Sequence, residues 1–225
     1  MGKNLIKIVH WLNSLPNSFD IICFQEFPNP QIEYLKKNLK HYNYHFEYAT
    51  SFVDKNIPYG VLTLIYKKIE IVDTTIIPLG GSFIEAKFFG KTGERSALVT
   101  ALRKDGQAFL LINTHLTAIT LNKQRRAQLG KILEHIASAT KNNETPLIIL
   151  GDLNYSSLVK QNTLFHLMRQ NGFNNSHREK THRIFSITSH QLDYIFYRKC
   201  SIANVSVLKV PYSDHFPTTF TLDIG

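Results

Sequence analysis

Cysteine is scarce in this 225-residue chain: there are two, Cys23 and Cys200, each beside an apolar run. Two cannot build a disulfide framework and their spacing suits no zinc site, so buried free thiols in a reducing compartment are expected. Long hydrophobic runs are missing as well. No stretch approaches the roughly 18 apolar residues that a membrane span needs. The apolar run at residues 5–12 is interrupted by Lys7 and His10, and no small-residue cleavage site follows it. A helix of the fold is therefore expected there rather than a leader, and with it a cytoplasmic location without stable membrane insertion. There is no internal repeat, low-complexity tract or Gly/Ser/Pro linker, which leaves one domain over residues 1–225 and a monomer. Acidic residues are outnumbered, 17 against 26 Lys plus Arg, for a net charge of +9. That balance favours a polyanionic partner: nucleic acid, an anionic lipid surface or a phosphorylated small molecule.

What is present is a series of short apolar runs. Residues 4–14 place Leu5, Ile8, Val9 and Leu12 on one helical face, with Pro16 and Asn17 ending the helix. Residues 19–24 read as a strand buried on both faces that stops at Gln25-Glu26. A helix is expected at 30–40, a strand pair at 60–66 and 69–77, and a second pair at 95–102 and 107–114 turned by Lys104-Asp105-Gly106. A helix at 121–139 would bury Leu121, Leu129, Ile132, Leu133 and Ile136, and residues 146–150 form another buried strand before Gly151-Asp152. A helix at 158–171 closes on Asn171-Gly172. The polar segment 174–190 reads as a mobile loop, and strands follow at 192–197, 201–210 and 216–222. Hairpin-joined strands with helices between them indicate an α/β fold of two packed mixed sheets with helices outside.

Five strand ends carry polar groups of one chemical kind: Gln25-Glu26, Thr114-His115-Leu116, Gly151-Asp152-Leu153-Asn154, Leu192-Asp193-Tyr194 and Ser213-Asp214-His215. Each has an ordinary explanation. Glu26 can be a loop carboxylate, His115 a hydrogen-bonded core histidine, and Gly151-Asp152-Leu153-Asn154 simple turn chemistry. Asp193 within a strand is costly without a partner, and His215 could be that partner. Taken together, four carboxylates, two imidazoles and the Asn154 carboxamide on rigid strand ends are the inventory of metal-assisted phosphoryl chemistry.

In order and spacing these motifs resemble the endonuclease/exonuclease/phosphatase superfamily of metal-dependent phosphodiesterases, over about residues 19–222, with most similarity to uncharacterised bacterial members. The resemblance implies a four-layer α/β/β/α sandwich of two mixed, mainly antiparallel sheets. It implies Mg2+, or Mn2+, on Glu26 with help from Asp214, and His215 oriented by Asp193 as base or charge stabiliser. Asp152 and Asn154 would position water and a phosphoryl oxygen, and His115 would donate to an oxygen. Arg95 could reach substrate phosphate, or could equally form a structural ion pair. The family's opening strand, which carries an Asn, has no counterpart here; Asn4 and Asn13 match nothing. A nuclease is the first expectation, a phosphodiesterase or phosphatase on a phospholipid head group or phosphorylated small molecule the second, and a binding module with a relict pocket the third. Phosphate contacts in a nuclease would come from His177, Arg178, Lys180, His182 and Arg183.

Overall fold

The structure is a computed structural model that describes residues 2–15, 19–39, 43–140, 144–184 and 187–225. Its elements run α1 (Gly2–Ser14), β1 (Ile21–Pro28), α2 (Ile32–Asn38), β2 (Tyr44–Asp54), β3 (Ile57–Tyr66), β4 (Glu70–Gly80), α3 (Phe83–Phe89), β5 (Arg95–Lys104), β6 (Gln107–His115), α4 (Asn122–Ala139), β7 (Leu147–Asp152), α5 (Leu158–Gln170), β8 (Asn174–Asn175), β9 (His182–Ile184), β10 (Ile187–His190), β11 (Asp193–Arg198), β12 (Ser201–Val207) and β13 (Thr218–Asp223). Pro16 and Asn17, expected to end α1, lie outside the described residues.

Four layers follow from which side chains each face buries. Leu5, Val9 and Leu12 of α1 and Leu35 of α2 pack on Leu62 and Leu64 of a three-stranded sheet ordered β1-β3-β2. The opposite face of that sheet meets a six-stranded sheet ordered β4-β5-β6-β7-β11-β8, through residues such as Ile65, Leu102, Leu111 and Ile148. The far side of the second sheet is covered by Leu129, Ile132 and Ile136 of α4 and Leu164 and Met168 of α5. The period of two shows within β7: Leu147 and Ile149 face the helices, while Ile148 and Leu150 face the other sheet. β7 thus has both faces buried, as its unbroken apolar run implied.

Three expectations are corrected. The runs at 60–66 and 69–77 do not pair with each other; β3 pairs with β1 and β2, and β4 pairs with β5. The partner missed was β2, where aromatic and polar residues alternate from Tyr44 to Tyr48. It joins β3 through a tight turn at Lys55 and Asn56, both with positive φ. Segment 174–190 is not a free loop. It holds β8, which pairs with β11, and the β9–β10 hairpin, with Thr181 fully buried. Leu121, expected on the buried side of α4, precedes that helix and is largely exposed.

β1, expected to be buried on both faces, is only half-buried through Phe24. Among the described residues its ladder runs to β3 alone, and the C-terminal strands pair only as a separate β12–β13 hairpin. A trough of about 1580 Å³, lined by Ile22 on one side and Phe220 and Leu222 on another, runs from this flank to the polar groups at Asp152 and His215. An unpaired ladder edge leaves backbone donors and acceptors to water. A strand-forming segment fused so that it can pair along this edge of β1 is expected to raise the melting temperature by roughly 3 °C or more, about 1 kcal/mol for a chain of this size. An unchanged melting temperature would show that the edge accepts no further strand.

Candidate active site

The site begins as a row of strand ends in register. In the six-stranded sheet β6 and β7 are parallel and pair His115 with Asp152; β7 and β11 are antiparallel and pair Asp152 with Asp193. Three motifs that lie far apart in the sequence are therefore neighbours on one sheet edge. One step back, Gly151 pairs with Thr114 at φ 138°, where a Cβ would stand 1.9 Å from the Thr114 carbonyl oxygen. Only glycine allows β7 to lie this close to β6 there.

His215 joins the row from the C-terminal segment. Its Nδ1 lies 2.8 Å from Asp193 Oδ2, and its Nε2 lies 3.9 Å from Asp152 Oδ2. The expected Asp193–His215 pair is thus formed. Thr181 Oγ1 fixes the start of β11 by accepting from the Leu192 and Asp193 amides, both at 3.1 Å. Arg183 donates its amide to the Asp214 carbonyl at 2.9 Å, and Phe216 donates to the Thr181 carbonyl at 2.6 Å. The segment read as mobile therefore clamps the dyad. Burial alone would lower the His215 pKa, but the Asp193 hydrogen bond and the charges of Asp193, Asp152 and Asp214 outweigh it and lift the imidazole to about 9. Asp152 is pushed up, by its burial first and by the charge of Asp193 second.

His115 is held from behind by a buried cation. Arg95, read as either a substrate contact or half of a structural ion pair, is buried and holds two groups at once: Glu85 Oε2 at 2.8 Å and His115 Nδ1 at 3.0 Å. Its guanidinium also lies over the Phe52 ring, 4.4 Å from the centroid. An arginine can only donate. His115 Nδ1 must therefore accept, which leaves the proton on Nε2, and Nε2 faces Asp152 Oδ2 at 3.5 Å. Burial, then the Arg95 charge, hold the His115 pKa well below the usual imidazole range, so the ring is a neutral donor. Glu85 was not singled out in the sequence, where no element was read between residues 77 and 95. Buried, it also accepts from the Ala118 and Ile119 amides at 3.2 Å.

Glu26 reaches the row across the sheet-to-sheet interface. The β1 ladder shifts register between Phe24 and Phe27, and Glu26 sits in this bulge at φ 50°. β1 thus continues past the point where it was expected to stop. Gln25 donates to Asn113 Oδ1 at 2.7 Å, while Asn113 donates to the Leu62 carbonyl at 3.1 Å. Asn113, a buried residue of β6 that reads as a break in an apolar run, so binds the two sheets behind the bulge. Glu26 Oε1 lies 3.9 Å from His115 Nδ1 and 3.6 Å from Lys91 Nζ. Asn154, at φ 58°, donates its side-chain amide to the Leu116 carbonyl at 3.0 Å and its backbone amide to Asp152 Oδ1, also at 3.0 Å.

The structure thus brings Glu26, His115, Asp152, Asn154, Asp193 and His215 together. Asp214, expected beside Glu26, is grouped instead with His182 and His215, their ligating atoms all within 4.8 Å of one another. Among the other candidate phosphate contacts, His177 is buried, Arg178 covers the Phe165 ring and Arg183 the Phe216 ring. Replacing Arg95 with Met should destabilise the fold by about 3–5 kcal/mol in urea titration, because Glu85 would be left as an unpaired buried charge. The double replacement Arg95→Met with Glu85→Met should recover much of that loss. Equal stability of the single and double variants would remove the ion pair as the reason.

Comparison with known proteins bears on the fold and the family. The endonuclease/exonuclease/phosphatase family profile matches residues 3–215. A UPF0294 protein of Erwinia tasmaniensis is 34% identical over 137 residues, 58% of this chain and 47% of that protein. The chain spans about half the length of the curated relatives it matches. Among solved structures, TDP2 of D. rerio complexed with single-strand DNA product has a TM-score of 0.75 at 17% identity, covering 99% of this chain and 92% of that one. The mannosyl-6-phosphatase of Bacteroides thetaiotaomicron has a TM-score of 0.74 at 18% identity, covering 98% and 91%. The fold is shared with both, and the profile match over nearly the whole length makes this chain a member of the endonuclease/exonuclease/phosphatase family.

Proposed function

We propose that the protein hydrolyses a phosphodiester bond with the help of a divalent cation. The observation behind this reading is the unbroken series of short contacts from Glu26 through His115 and Asp152 to His215 and Asp193. The donor chemistry suits a hard cation such as Mg2+ or Mn2+. Glu26 presents an exposed carboxylate, and its charge adds to the crowding that raises Asp152, a repulsion that a cation relieves. Glu26 would hold that ion; when bound it supplies charge neutralisation at the phosphoryl oxygens.

The chain's own groups do the remaining work. Asp193 locks the His215 ring with Nδ1 inward, so Nε2 faces the reacting centre. An imidazole lifted to about 9 is charged at neutral pH, so His215 stabilises the developing charge, and Asp152, whose raised pKa makes its ionised form the stronger base, takes the proton from water. His115, held by Arg95 as a neutral Nε2–H donor, binds a phosphoryl oxygen beside it. Asn154 fixes Asp152 through its backbone amide.

Two substrate classes fit. Nucleic acid is supported by the net charge of +9 and by the neighbour that binds a single-strand DNA product. A phospholipid head group is supported by apolar side chains exposed around the site, described below. Release of p-nitrophenol from bis(p-nitrophenyl) phosphate with Mg2+ is expected, and His215→Ala and Asp152→Asn should each lower it by about 10²–10⁴-fold. A folded protein with no such turnover would instead mark a relict pocket. Turnover unchanged in both variants would trace the activity to a contaminant. A panel of plasmid DNA, single-stranded DNA, RNA and phospholipid vesicles then separates the substrate classes.

A further inference from the structure

The most exposed large apolar side chains are not scattered. Among the described residues the five highest are Leu158 (78%), Val159 (77%), Phe83 (75%), Leu121 (72%) and Phe88 (68%). All five lie on three segments: α3, the turn before α4 and the first turn of α5. These segments meet at the catalytic end of the sheets. Ser82 donates to the Ile119 carbonyl at 3.1 Å, joining α3 to the turn before α4. Asn154, three residues before the cap of α5, donates to the Leu116 carbonyl. Glu85 of α3 holds the arginine that orients His115.

The charges of the same segments have one sign. Residues 82–91, 117–126 and 155–161 contain Lys87, Lys91, Lys123, Arg125, Arg126 and Lys160, and a single acid, the buried Glu85. Arg125 is turned inward onto the Thr117 carbonyl, which leaves the other five cations at the surface or partly so. Each apolar tip therefore has a cation beside it: Lys87 lies 5.7 Å from the Phe83 ring centroid and 5.5 Å from that of Phe88, Lys123 is two residues from Leu121, and Lys160 follows Val159. The first exposed acid beyond α3 is Glu94.

We propose that this collar seats the protein on an anionic lipid bilayer, with the apolar tips among the acyl chains and the cations on lipid phosphates. The proposal deepens the phosphodiesterase reading and rests on it for one point, that the scissile phosphodiester belongs to a phospholipid head group. The chemistry favours this occupant over others. Leucine and valine offer bases no ring to stack on, so a strand of nucleic acid would leave Leu121, Leu158 and Val159 unused. The core of a protein interface is poor in lysine, whereas here lysines alternate with the apolar tips. Apolar insertion combined with lysine at the head-group level is what an interfacial membrane surface needs.

The test uses the whole chain and vesicles of phosphatidylcholine, alone or with 30% phosphatidylserine, read by co-sedimentation without turnover. Binding is expected to the mixed vesicles, to weaken steeply as salt is raised, and to be far weaker on phosphatidylcholine alone. The double variants L158S/V159S and F83S/F88S should bind mixed vesicles at least tenfold more weakly. Lys87→Glu combined with Lys123→Glu should do the same, while hydrolysis of soluble bis(p-nitrophenyl) phosphate stays within about twofold in all three. No sedimentation of the parent chain, or equal sedimentation of parent and variants, would overturn the proposal. So would variants that lose single-stranded DNA binding while keeping vesicle binding. A chain that sediments as expected but hydrolyses nothing would support the docking surface and sink the hydrolytic reading alone.

Discussion

The arrangement of the candidate site depends on how closely two backbones approach. β6 and β7 run side by side at Thr114 and Gly151 with no room for a methyl group between them. That contact sets the register that places His115 against Asp152, and the antiparallel pairing of β7 with β11 carries the row on to Asp193. Parallel neighbours need a long crossover, and α4 supplies it while covering the sheet's outer face. The same helix that completes the core thus makes the site possible. Side-chain chemistry enters only after backbone geometry has placed three strand ends within reach of one another.

Around that row, burial is used in two opposite ways. His115 and His215 are both imidazoles facing the same carboxylate, yet their surroundings push them apart. Burial and then the Arg95 charge keep the first neutral, and the half-buried Asp193 carboxylate helps to charge the second. Each ring is held through Nδ1, so each offers Nε2 to the centre. The two partners, Arg95 and Asp193, are of opposite charge and set opposite protonation states from equivalent positions. Division of labour between paired titratable groups of this kind is a general feature of sites that run acid and base steps at one pH.

The sequence made some parts of this legible and hid others for identifiable reasons. β7 could be read because five apolar residues followed by Gly-Asp have few alternatives to a buried strand. The Asp193–His215 pair could be read because a carboxylate inside a strand demands a partner. β2 was missed because its apolar positions are aromatic and interleaved with His, Glu and Thr, so hydropathy alone averages out. The pairing of β3 was misassigned because adjacency along the chain stood in for adjacency in space, and β3 and β4 belong to different sheets. The β9–β10 segment looked free because it is polar, while its order comes from backbone hydrogen bonds to the Asp214 and Phe216 region that no local pattern encodes. Arg95 was left open between substrate and ion pair for a related reason: whether an arginine faces a ligand or a buried Glu85 is decided by a helix ten residues away.

The left-handed backbone at Glu26 has a bearing on how this position can vary. A residue with φ near 50° carries a cost that glycine escapes, asparagine and aspartate tolerate, and β-branched side chains bear worst. Drift at this codon is therefore channelled: the substitutions easiest on the main chain are those that keep a short oxygen-bearing group or delete the side chain altogether. Retention of the oxygen ligand that the proposed cation would require and tolerance of torsion pull the same way for aspartate and opposite ways for glycine. The bulge thus acts as a filter on the site's evolutionary neighbourhood, independent of whatever substrate the pocket comes to accept.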